Sequence, residues 1–403
     1  MANKKNWDVL SISSIPLVMT LGNSMLIPVL PIIEKKIAIT AVQSSMLITV
    51  YSIVAILCIP VAGYISDHVG RKRVIIPSLI LAGIGGLISG FAGWQMENPY
   101  SILLLGRLLQ GIGAAGAAPI VLPLVGDLFT NEKEISKGLG IIETANTFGK
   151  VLSPILGALL AAIVWYMPFI AIPIFCFVSI VLLIFLVESP PQVEKPQPFK
   201  IFIKATKKVF KREGRWLYAV FIVGTICMFV LFGILFYLST MLEETYQIKG
   251  VKKGIILAIP LAALCGSSFI TGKTIGQDKQ KMKTMTVIGI AFLTLATFSI
   301  SFSEDIYILL TALFVSGIGI GFALPSLDAF VTEGIQKDQR GSITSFYSSM
   351  RFLGVALGPP IFAVMMKGSH FFLFFTNAFI CLMALLITLF MIKPEETVKR
   401  TWG

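Results

Sequence analysis

Four polar residues inside one long apolar segment have the types and the spacing for chemistry within a membrane. They lie between residues 138 and 165, a run long enough to cross a bilayer as a helix, and are Glu143, Asn146, Thr147 and Lys150. Their i, i+3, i+4, i+7 spacing places them on one helical face. Because charge inside a bilayer is costly, this polar stripe must face protein or water. It is either part of a transport pathway or a buried structural pair of Glu143 and Lys150.

Small residues form a second stripe on the same segment. Gly149, Ser153 and Gly157 are spaced four apart, which predicts a face that a neighbouring helix approaches closely. Pro154 lies beside them and leaves one backbone carbonyl without its usual helical donor. Neighbouring helices or a cavity can satisfy that carbonyl, so we expect the segment to lie within a bundle.

The composition of the chain indicates a polytopic membrane protein. The chain has 403 residues, of which 56% are hydrophobic and 13% charged, and its mean hydropathy is +0.86, outside the range of ordinary soluble proteins. Its five cysteines lie in apolar runs without metal-type spacing, which indicates packing residues. The apolar run after the basic N-terminus continues to Ile33 without a small-residue cleavage site, so we expect a retained first span.

Twelve apolar runs separated by short polar or Gly/Pro breaks are the expected membrane spans. They lie at residues 10–33, 44–66, 74–94, 100–122, 138–164, 166–187, 216–240, 254–273, 283–302, 306–328, 341–366 and 371–392. With the N-terminus in the cytoplasm, basic residues are about four times as numerous in the cytoplasmic segments as in the outer loops. We therefore expect a multi-pass protein of the cell membrane with both termini cytoplasmic. The net charge of +12 follows from this topology and does not indicate a nucleic-acid partner.

One long polar segment, residues 188–215, divides the chain into an N-terminal half, 1–187, and a C-terminal half, 216–403, each with six spans. It opens with the Pro-rich run ESPPQVEKPQP and continues with apolar and basic residues on opposite helical faces. The apolar face comprises Phe199, Phe202, Ile203, Val209 and Phe210, and the basic face comprises Lys200, Lys204, Lys207, Lys208 and Lys211. This pattern predicts a cytoplasmic linker whose amphipathic basic helix lies on the inner leaflet.

Matching landmarks indicate that the two halves are copies of one another. GIGAAGAAP at 111–119 corresponds to GIGIGFALP at 317–325, with the proline at the same distance from the first glycine. The spacing of glycine and proline at 149–154 recurs at 354–359. Duplicated bundles with a midplane site are a transporter architecture, and this alignment predicts that Arg351 faces the same central cavity as the polar stripe.

The loop after the second span carries the most specific motif. It reads GYISDHVGRKR at residues 63–73, and its motif positions are Gly63, Asp67, Gly70, Arg71, Lys72 and Arg73. The glycines allow a tight turn, and Asp67 can pair at a helix end. The loop resembles the signature loop between spans 2 and 3 of the major facilitator superfamily and matches it at every motif position. The resemblance implies an all-α fold of twelve transmembrane helices in two pseudo-symmetric six-helix bundles, with conformational gating by this loop.

Three further motifs resemble those of the twelve-span drug:proton antiporters in that superfamily. LGRLLQGIGAA at 105–115 looks like their span 4 motif, whose arginine, here Arg107, is implicated in proton coupling. LGNSMLIPVLP at 21–31 is similar to their span 1 motif. The exporter motif of span 5 is matched at Gly140, Gly149, Pro154 and Gly157, whereas Ser153 and Ala158 replace glycines. The resemblance implies proton-coupled export of amphipathic drugs by alternating access.

The predicted spans contain more basic than acidic residues, which bears on the charge of the substrate. The basic residues are Arg107, Lys150 and Arg351, and the acidic residues are Glu143 and Asp328. That balance suits a neutral or anionic amphiphile comparably well, so an exporter or flippase of an anionic amphiphile, lipid or glycolipid is the alternative. A channel is disfavoured because the halves are duplicated. We assign proton coupling to Glu143, Arg107 and Asp328. The expected substrate cavity comprises Asn23, Asn146, Thr147, Lys150, Phe232, Phe236, Tyr347 and Arg351.

No cofactor, metal or ATP is expected, and an enzyme is the weakest interpretation. His68 and His370 lie at loops on opposite sides of the predicted membrane and cannot share a metal or form a base–nucleophile pair. The GKT sequence at Gly272 lacks the glycine that a phosphate-binding loop needs five residues earlier, where Ser267 stands. We therefore expect a monomer in the lipid bilayer that exchanges protons for a small amphipathic molecule.

Overall fold

The computed structural model describes residues 2–128, 132–187, 209–212, 214–276, 278–335 and 337–393. Within these residues the regular structure is helical, without a β-strand. The α-helices are α1 (Ala2–Ser24), α2 (Leu30–Ile37), α3 (Ala41–Val69), α4 (Arg71–Gln95), α5 (Tyr100–Leu128), α6 (Glu132–Ile163), α7 (Met167–Leu186), α8 (Arg215–Glu244), α9 (Gly250–Ile275), α10 (Lys279–Ile300), α11 (Ile306–Gly334), α12 (Lys337–Met365) and α13 (His370–Met391). Among the described residues, twelve stretches are long and apolar enough to cross a membrane. This confirms the predicted twelve-span, all-α fold.

The ends of α3 show why the helices extend beyond the apolar runs. The helix begins at Ala41 because the Thr40 hydroxyl accepts a hydrogen bond from the Gln43 N–H at 3.2 Å, and the Gln43 side chain accepts one from the Thr40 N–H. It ends at Val69 because Gly70 adopts a φ of 100°, in the region that favours glycine. Asp67 therefore lies on the last turn of a helix, and the loop predicted around it is reduced to Gly70.

The first span differs from the prediction of one helix that continues to Ile33. The helix α1 ends at Ser24, a 3-10 turn occupies Ile27–Val29, and α2 completes the span. Pro28 and Pro31 have no N–H, so neither residue can donate the hydrogen bond that a continuous helix needs. The break leaves backbone carbonyls of α1 to be satisfied by other groups.

The described residues form two compact units. One unit comprises residues 2–187 together with Leu238–Ala258, and the other comprises residues 209–237 and 259–393. The segment Leu238–Ala258 contains the end of α8, the start of α9 and the turn between them. This segment, which we call the α8–α9 tip, thus packs with the N-terminal part of the chain.

Two glycines of α5 hold this helix against two neighbours in the first unit. A Cβ atom at Gly111 would collide with the backbone carbonyl of Tyr51 on α3. A Cβ atom at Gly113 would collide with the backbone carbonyl of Ser78 on α4. Only glycine permits backbones to approach so closely at these two positions.

The second unit repeats this arrangement at the residues that the sequence alignment pairs with them. Gly317 of α11 lies against the backbone carbonyl of Pro260 on α9, and Gly319 lies against that of Gly289 on α10. In each unit the first glycine therefore contacts the second span of its half, and the next contacts the third. The same packing at aligned positions supports the interpretation that the halves are duplicated.

Most of the predicted amphipathic linker helix lies outside the described residues, including every residue of its two faces before Val209. The side chain of Val209 is buried, and the ring of Phe210 packs against Tyr218 and Phe221 of α8 and Phe346 of α12. These two apolar residues are therefore packed within the second unit, whereas the sequence predicted that they face the inner leaflet.

Candidate functional site

The polar stripe of α6 is connected to α1 by hydrogen bonds. The Asn146 amide donates to both Glu143 carboxylate oxygens at 3.4 Å, and the Thr20 hydroxyl donates to Asn146 Oδ1 at 2.6 Å. The Thr147 hydroxyl donates to the Glu143 backbone carbonyl at 2.9 Å. The half-buried carboxylate is thus oriented by a neutral amide, which is itself fixed by the first span.

Lys150 completes the polar stripe on the protein-facing side of α6. Its side chain is 7% exposed, and Thr147 is 6% exposed. Phe148, on another face of the same turn, is 52% exposed, as expected for a residue in contact with lipid. The stripe therefore places a buried ammonium group and a half-buried carboxylate on the face that avoids lipid.

Two glycines of the exporter motif lie where α6 packs closely against α1. A Cβ atom at Gly149 would meet Leu17 and Thr20 at 3.2 to 3.3 Å, and one at Gly157 would collide with the backbone carbonyl of Met25. This contact is the close helix approach that the small-residue stripe predicts. Gly157 reaches α1 just where the helix breaks.

Two other motif positions have different surroundings. Ser153, which stands where the motif has glycine, is fully buried and donates to the Gly149 carbonyl at 2.5 Å, so its hydroxyl is satisfied within α6. Gly140 is exposed and has no atom within 4 Å of a Cβ position. In this conformation Gly140 is therefore not part of the contact between α1 and α6.

Arg107 of α5 is fully buried and holds the broken first span. Its guanidinium donates to the Gly22 carbonyl at 3.1 Å and to Asn23 Oδ1 at 2.6 Å. The same group donates to the Leu47 carbonyl of α3 at 2.7 Å and to Gln110 Oε1 at 2.5 Å. The guanidinium carbon also lies 4.4 Å from the centroid of the Tyr51 ring, a cation–π contact.

These contacts indicate a structural role in this conformation for two predicted site residues, Arg107 and Asn23. The Gly22 carbonyl is close to the end of α1, where the break interrupts helical hydrogen bonding, so Arg107 supplies a donor that the helix lacks. Among the described residues, the hydrogen-bond partners of Arg107 do not include Glu143. Asn23, predicted to line the cavity, is 6% exposed and serves as an acceptor for Arg107.

A second charged site lies in the second unit. Arg351 Nη1 of α12 lies 3.0 Å and 3.3 Å from the two carboxylate oxygens of Asp328 on α11. The Arg351 guanidinium carbon lies 5.7 Å from the centroid of the buried Tyr347 ring. The side chains of Arg351 and Asp328 are 17% and 32% exposed, so the ion pair remains accessible. Asp328, to which the sequence analysis assigns proton coupling, is therefore a partner of Arg351.

The aromatic residues assigned to the cavity are packing residues in this conformation. Phe232 is 5% exposed and Phe236 is fully buried. Between them, Gly233 of α8 approaches the ring of Phe362, which leaves no space for a side chain. The hydroxyl of the next residue, Tyr237, lies 2.9 Å from His370 Nδ1.

The signature motif forms a polar clamp at the opposite end of α3 from its N-cap. Arg71 forms an ion pair with Asp67 and another with Asp127 of α5, whose Oδ2 lies 3.1 Å from Arg71 Nε. Arg71 also donates to the Ser66 hydroxyl at 2.7 Å. Gly63 lies within α3, and Arg73 is exposed. Asp127 is a participant that the motif did not predict.

Lys72 connects the same motif to the end of α7. Its ammonium group donates to the Val187 carbonyl at 2.7 Å and to the Ile184 carbonyl at 3.3 Å. Carbonyls at a helix C-terminus have no intrahelical donor and carry partial negative charge, so a lysine is a favourable partner. The motif therefore contacts α3, α5 and α7 through two adjacent basic residues.

Comparison with known proteins places this arrangement among membrane transporters. The family model described as Major Facilitator Superfamily matches residues 12–359 and 283–401. The chain is 55% identical over 391 residues to the bacillibactin exporter of Bacillus subtilis (strain 168), covering 97% of both chains. It is 24% identical to multidrug resistance protein 2 of the same organism, covering 92% of this chain and 91% of the relative.

Solved structures share the fold at low sequence identity. A D-xylose-proton symporter aligns with a TM-score of 0.78 and 15% identity, covering 96% of this chain and 98% of the other. The human organic anion transporter MFSD10 (TETRAN) aligns with a TM-score of 0.73 and 17% identity, covering 95% and 99%.

Proposed function

Since the chain belongs to the major facilitator superfamily, whose members are transporters and not enzymes, we propose that it exports a siderophore of the bacillibactin type by proton antiport. One observation carries the substrate assignment, namely the 55% identity to the bacillibactin exporter over 97% of both chains. The drug and lipid alternatives have weaker support, because the multidrug relative is 24% identical. In this proposal the protein works as a monomer in the cell membrane, with both termini cytoplasmic and without ATP.

The buried positive charges support an anionic or neutral substrate. Lys150 provides an ammonium group on the protein-facing side of α6, and Arg351 provides a guanidinium that is still partly accessible. In the proposed mechanism the Lys150 ammonium group binds an acceptor group of the substrate. Asn146 and Thr147 provide further hydrogen-bonding groups on the same face of α6 as Lys150.

Proton coupling is assigned to Glu143, with Asp328 as the second carboxylate. Glu143 is half-buried and accepts hydrogen bonds from the Asn146 amide, and Asp328 is bound to the cation Arg351. The ionised Glu143 carboxylate can accept hydrogen bonds from hydroxyl or N–H groups of the substrate, and a proton on this carboxylate weakens it as an acceptor. Proton and substrate then compete for the same carboxylate, so a proton taken up from outside releases the substrate, and binding of the next substrate inside releases the proton, which is the exchange that an antiporter needs.

The polar clamp of Arg71 is proposed as the gating element of alternating access. It joins Asp67, Ser66 and Asp127 at the ends of α3 and α5. A cluster of ion pairs at helix ends can stabilise one of two conformations without strongly affecting the fold. Asp67 is therefore assigned to the conformational equilibrium rather than to substrate binding.

The proposed function is tested with purified protein in proteoliposomes under an imposed pH gradient. Bacillibactin should accumulate only when the gradient has the direction of antiport, and a protonophore should abolish the accumulation. Accumulation of a lipophilic cationic dye without any movement of bacillibactin would overturn the siderophore proposal in favour of drug efflux. Equal accumulation of bacillibactin with and without the gradient would overturn proton coupling.

A further inference from the structure

A buried cluster of charges lies at the end of the helices opposite to the signature motif. Lys253 Nζ of α9 lies 2.7 Å from Glu243 Oε2 of α8, and these side chains are only 1% and 3% exposed. Lys35 Nζ of α2 lies 3.3 Å from the other oxygen, Glu243 Oε1. Both carboxylate oxygens of Glu243 are thus bound to ammonium groups, one from its own hairpin and one from the first span.

The residues around this cluster fix α2 in place. Ser44 of α3 donates to Glu34 Oε1 at 2.5 Å, next to Lys35 in the chain. The Thr40 capping box fixes the start of α3 just before Ser44. Lys35 itself is 51% exposed, so its long side chain reaches from a fixed backbone across the surface to a buried carboxylate.

Two further contacts join the α8–α9 tip to the first span and to α6. The Ser239 hydroxyl donates to the backbone carbonyl of Ile27 at 2.9 Å, within the 3-10 turn that breaks the first span. A Cβ atom at Gly254 would lie 2.5 Å from the Pro154 carbonyl and 2.9 Å from the Ala158 side chain. The tip therefore touches both the break in the first span and the exporter-motif helix.

We propose that Lys35, Glu243 and Lys253 form a charged latch that fastens the α8–α9 tip to the first span. The net stability of a buried ion pair is small, because desolvation offsets the attraction. Removal of one partner is costly, however, since it leaves a buried charge unpaired. Such a pair is therefore better suited to specify one arrangement of the tip than to stabilise the whole fold. Because α8 and α9 continue from the latch into the second unit, release of the latch frees both helices at one end.

The latch can be tested without any substrate, so its failure is distinct from failure of the proposed function. A Ser239→Cys reporter is placed in a background in which the five native cysteines are replaced, and its alkylation rate in detergent reports release of the tip. Glu243→Gln should raise this rate at least about tenfold, which corresponds to about 1.4 kcal/mol. The exchange of both charges, Glu243→Lys with Lys253→Glu, should return the rate towards that of the parent.

Neighbouring residues provide matched controls. Glu244 and Lys252 are exposed and adjacent in sequence to the two buried charges, so Glu244→Gln and Lys252→Met should leave the alkylation rate unchanged. If Glu243→Gln does not yield folded protein, Lys35→Gln removes one arm of the latch at an exposed site, with Lys36→Gln as its control. The latch is refuted if Glu243→Gln, or in its place Lys35→Gln, gives the same alkylation rate as its control.

Discussion

Arg351 Nη1 lies 3.0 Å from Asp328 Oδ1, so a residue of α12 neutralises a carboxylate of α11 within the second unit. The pair is half-buried, and the Tyr347 ring lies beside the guanidinium. We therefore expect Arg351→Leu to cost about 1–3 kcal/mol of stability, because it leaves the carboxylate without its charged donor. A fall in the melting temperature of the purified protein by several degrees would show this. Lys367→Leu, at an exposed lysine beyond the same helix, should leave the melting temperature unchanged.

Glu143→Gln should abolish proton-driven accumulation of substrate while substrate binding persists. The amide of glutamine can still form a hydrogen bond with Asn146, so the geometry of the polar stripe is retained while the exchangeable proton is lost. Proteoliposomes with an imposed pH gradient measure the accumulation, and ligand-induced thermal stabilisation measures the binding. Normal uphill transport by this variant would transfer the coupling role to Asp328.

Asp67→Asn and Asp127→Asn should impair transport to a similar extent, because both remove a carboxylate from Arg71. We expect transport rates at least about tenfold lower, which is a change of about 1.4 kcal/mol in the conformational equilibrium. The amounts of membrane-inserted protein should remain close to that of the parent. Parallel losses of inserted protein and of transport would mean that the clamp is a structural element only.

Gly157→Ala and Gly140→Ala make a matched pair within α6. At Gly157 the new methyl group would collide with the Met25 carbonyl, so α1 and α6 must separate and the melting temperature should fall. At Gly140 nothing lies within 4 Å, and alanine should be neutral or stabilise the helix by up to about 1 kcal/mol. Equal effects of the two substitutions on melting temperature would contradict the described contact.

Arg107→Lys should lower the stability and the yield of folded protein more than it alters coupling. A lysine ammonium has no planar fork and cannot donate to Gly22, Leu47 and Asn23 together. Melting curves and the proton dependence of transport, measured on one preparation, separate the two effects. A variant that keeps its melting temperature but loses proton dependence would restore Arg107 to the coupling role that its motif implies.

The sequence predicted the helical spans and the polar stripe because both depend on local patterns. Hydropathy shows which segments cross the membrane, and the spacing of Glu143 and Asn146 places them within reach of each other. The break in the first span had a signal in the sequence, since Pro28 and Pro31 occur three residues apart, but the apolar run around them conceals it. Hydrophobicity alone does not distinguish a broken span from a continuous one.

The contacts of Arg107 and the latch could not be predicted, because they join residues that are distant in sequence. Arg107 binds Gly22 and Leu47, which belong to two other helices. Glu243 and Lys253 each have an adjacent residue of the same charge, Glu244 and Lys252, and both pairs look like solvated helix ends. Only the packing of the tip shows which member of each pair is buried.

Lys72 links the turn between α3 and α4 to the C-terminal end of α7, because its ammonium group binds backbone carbonyls where the chain leaves that helix. Its ammonium group is bound to Val187 and Ile184, and the adjacent Arg71 belongs to the polar clamp. A force applied to the polypeptide after α7 would thus be transmitted through one lysine to the turn between α3 and α4. The end of α7 is in this way connected to the clamp that we propose as the gating element.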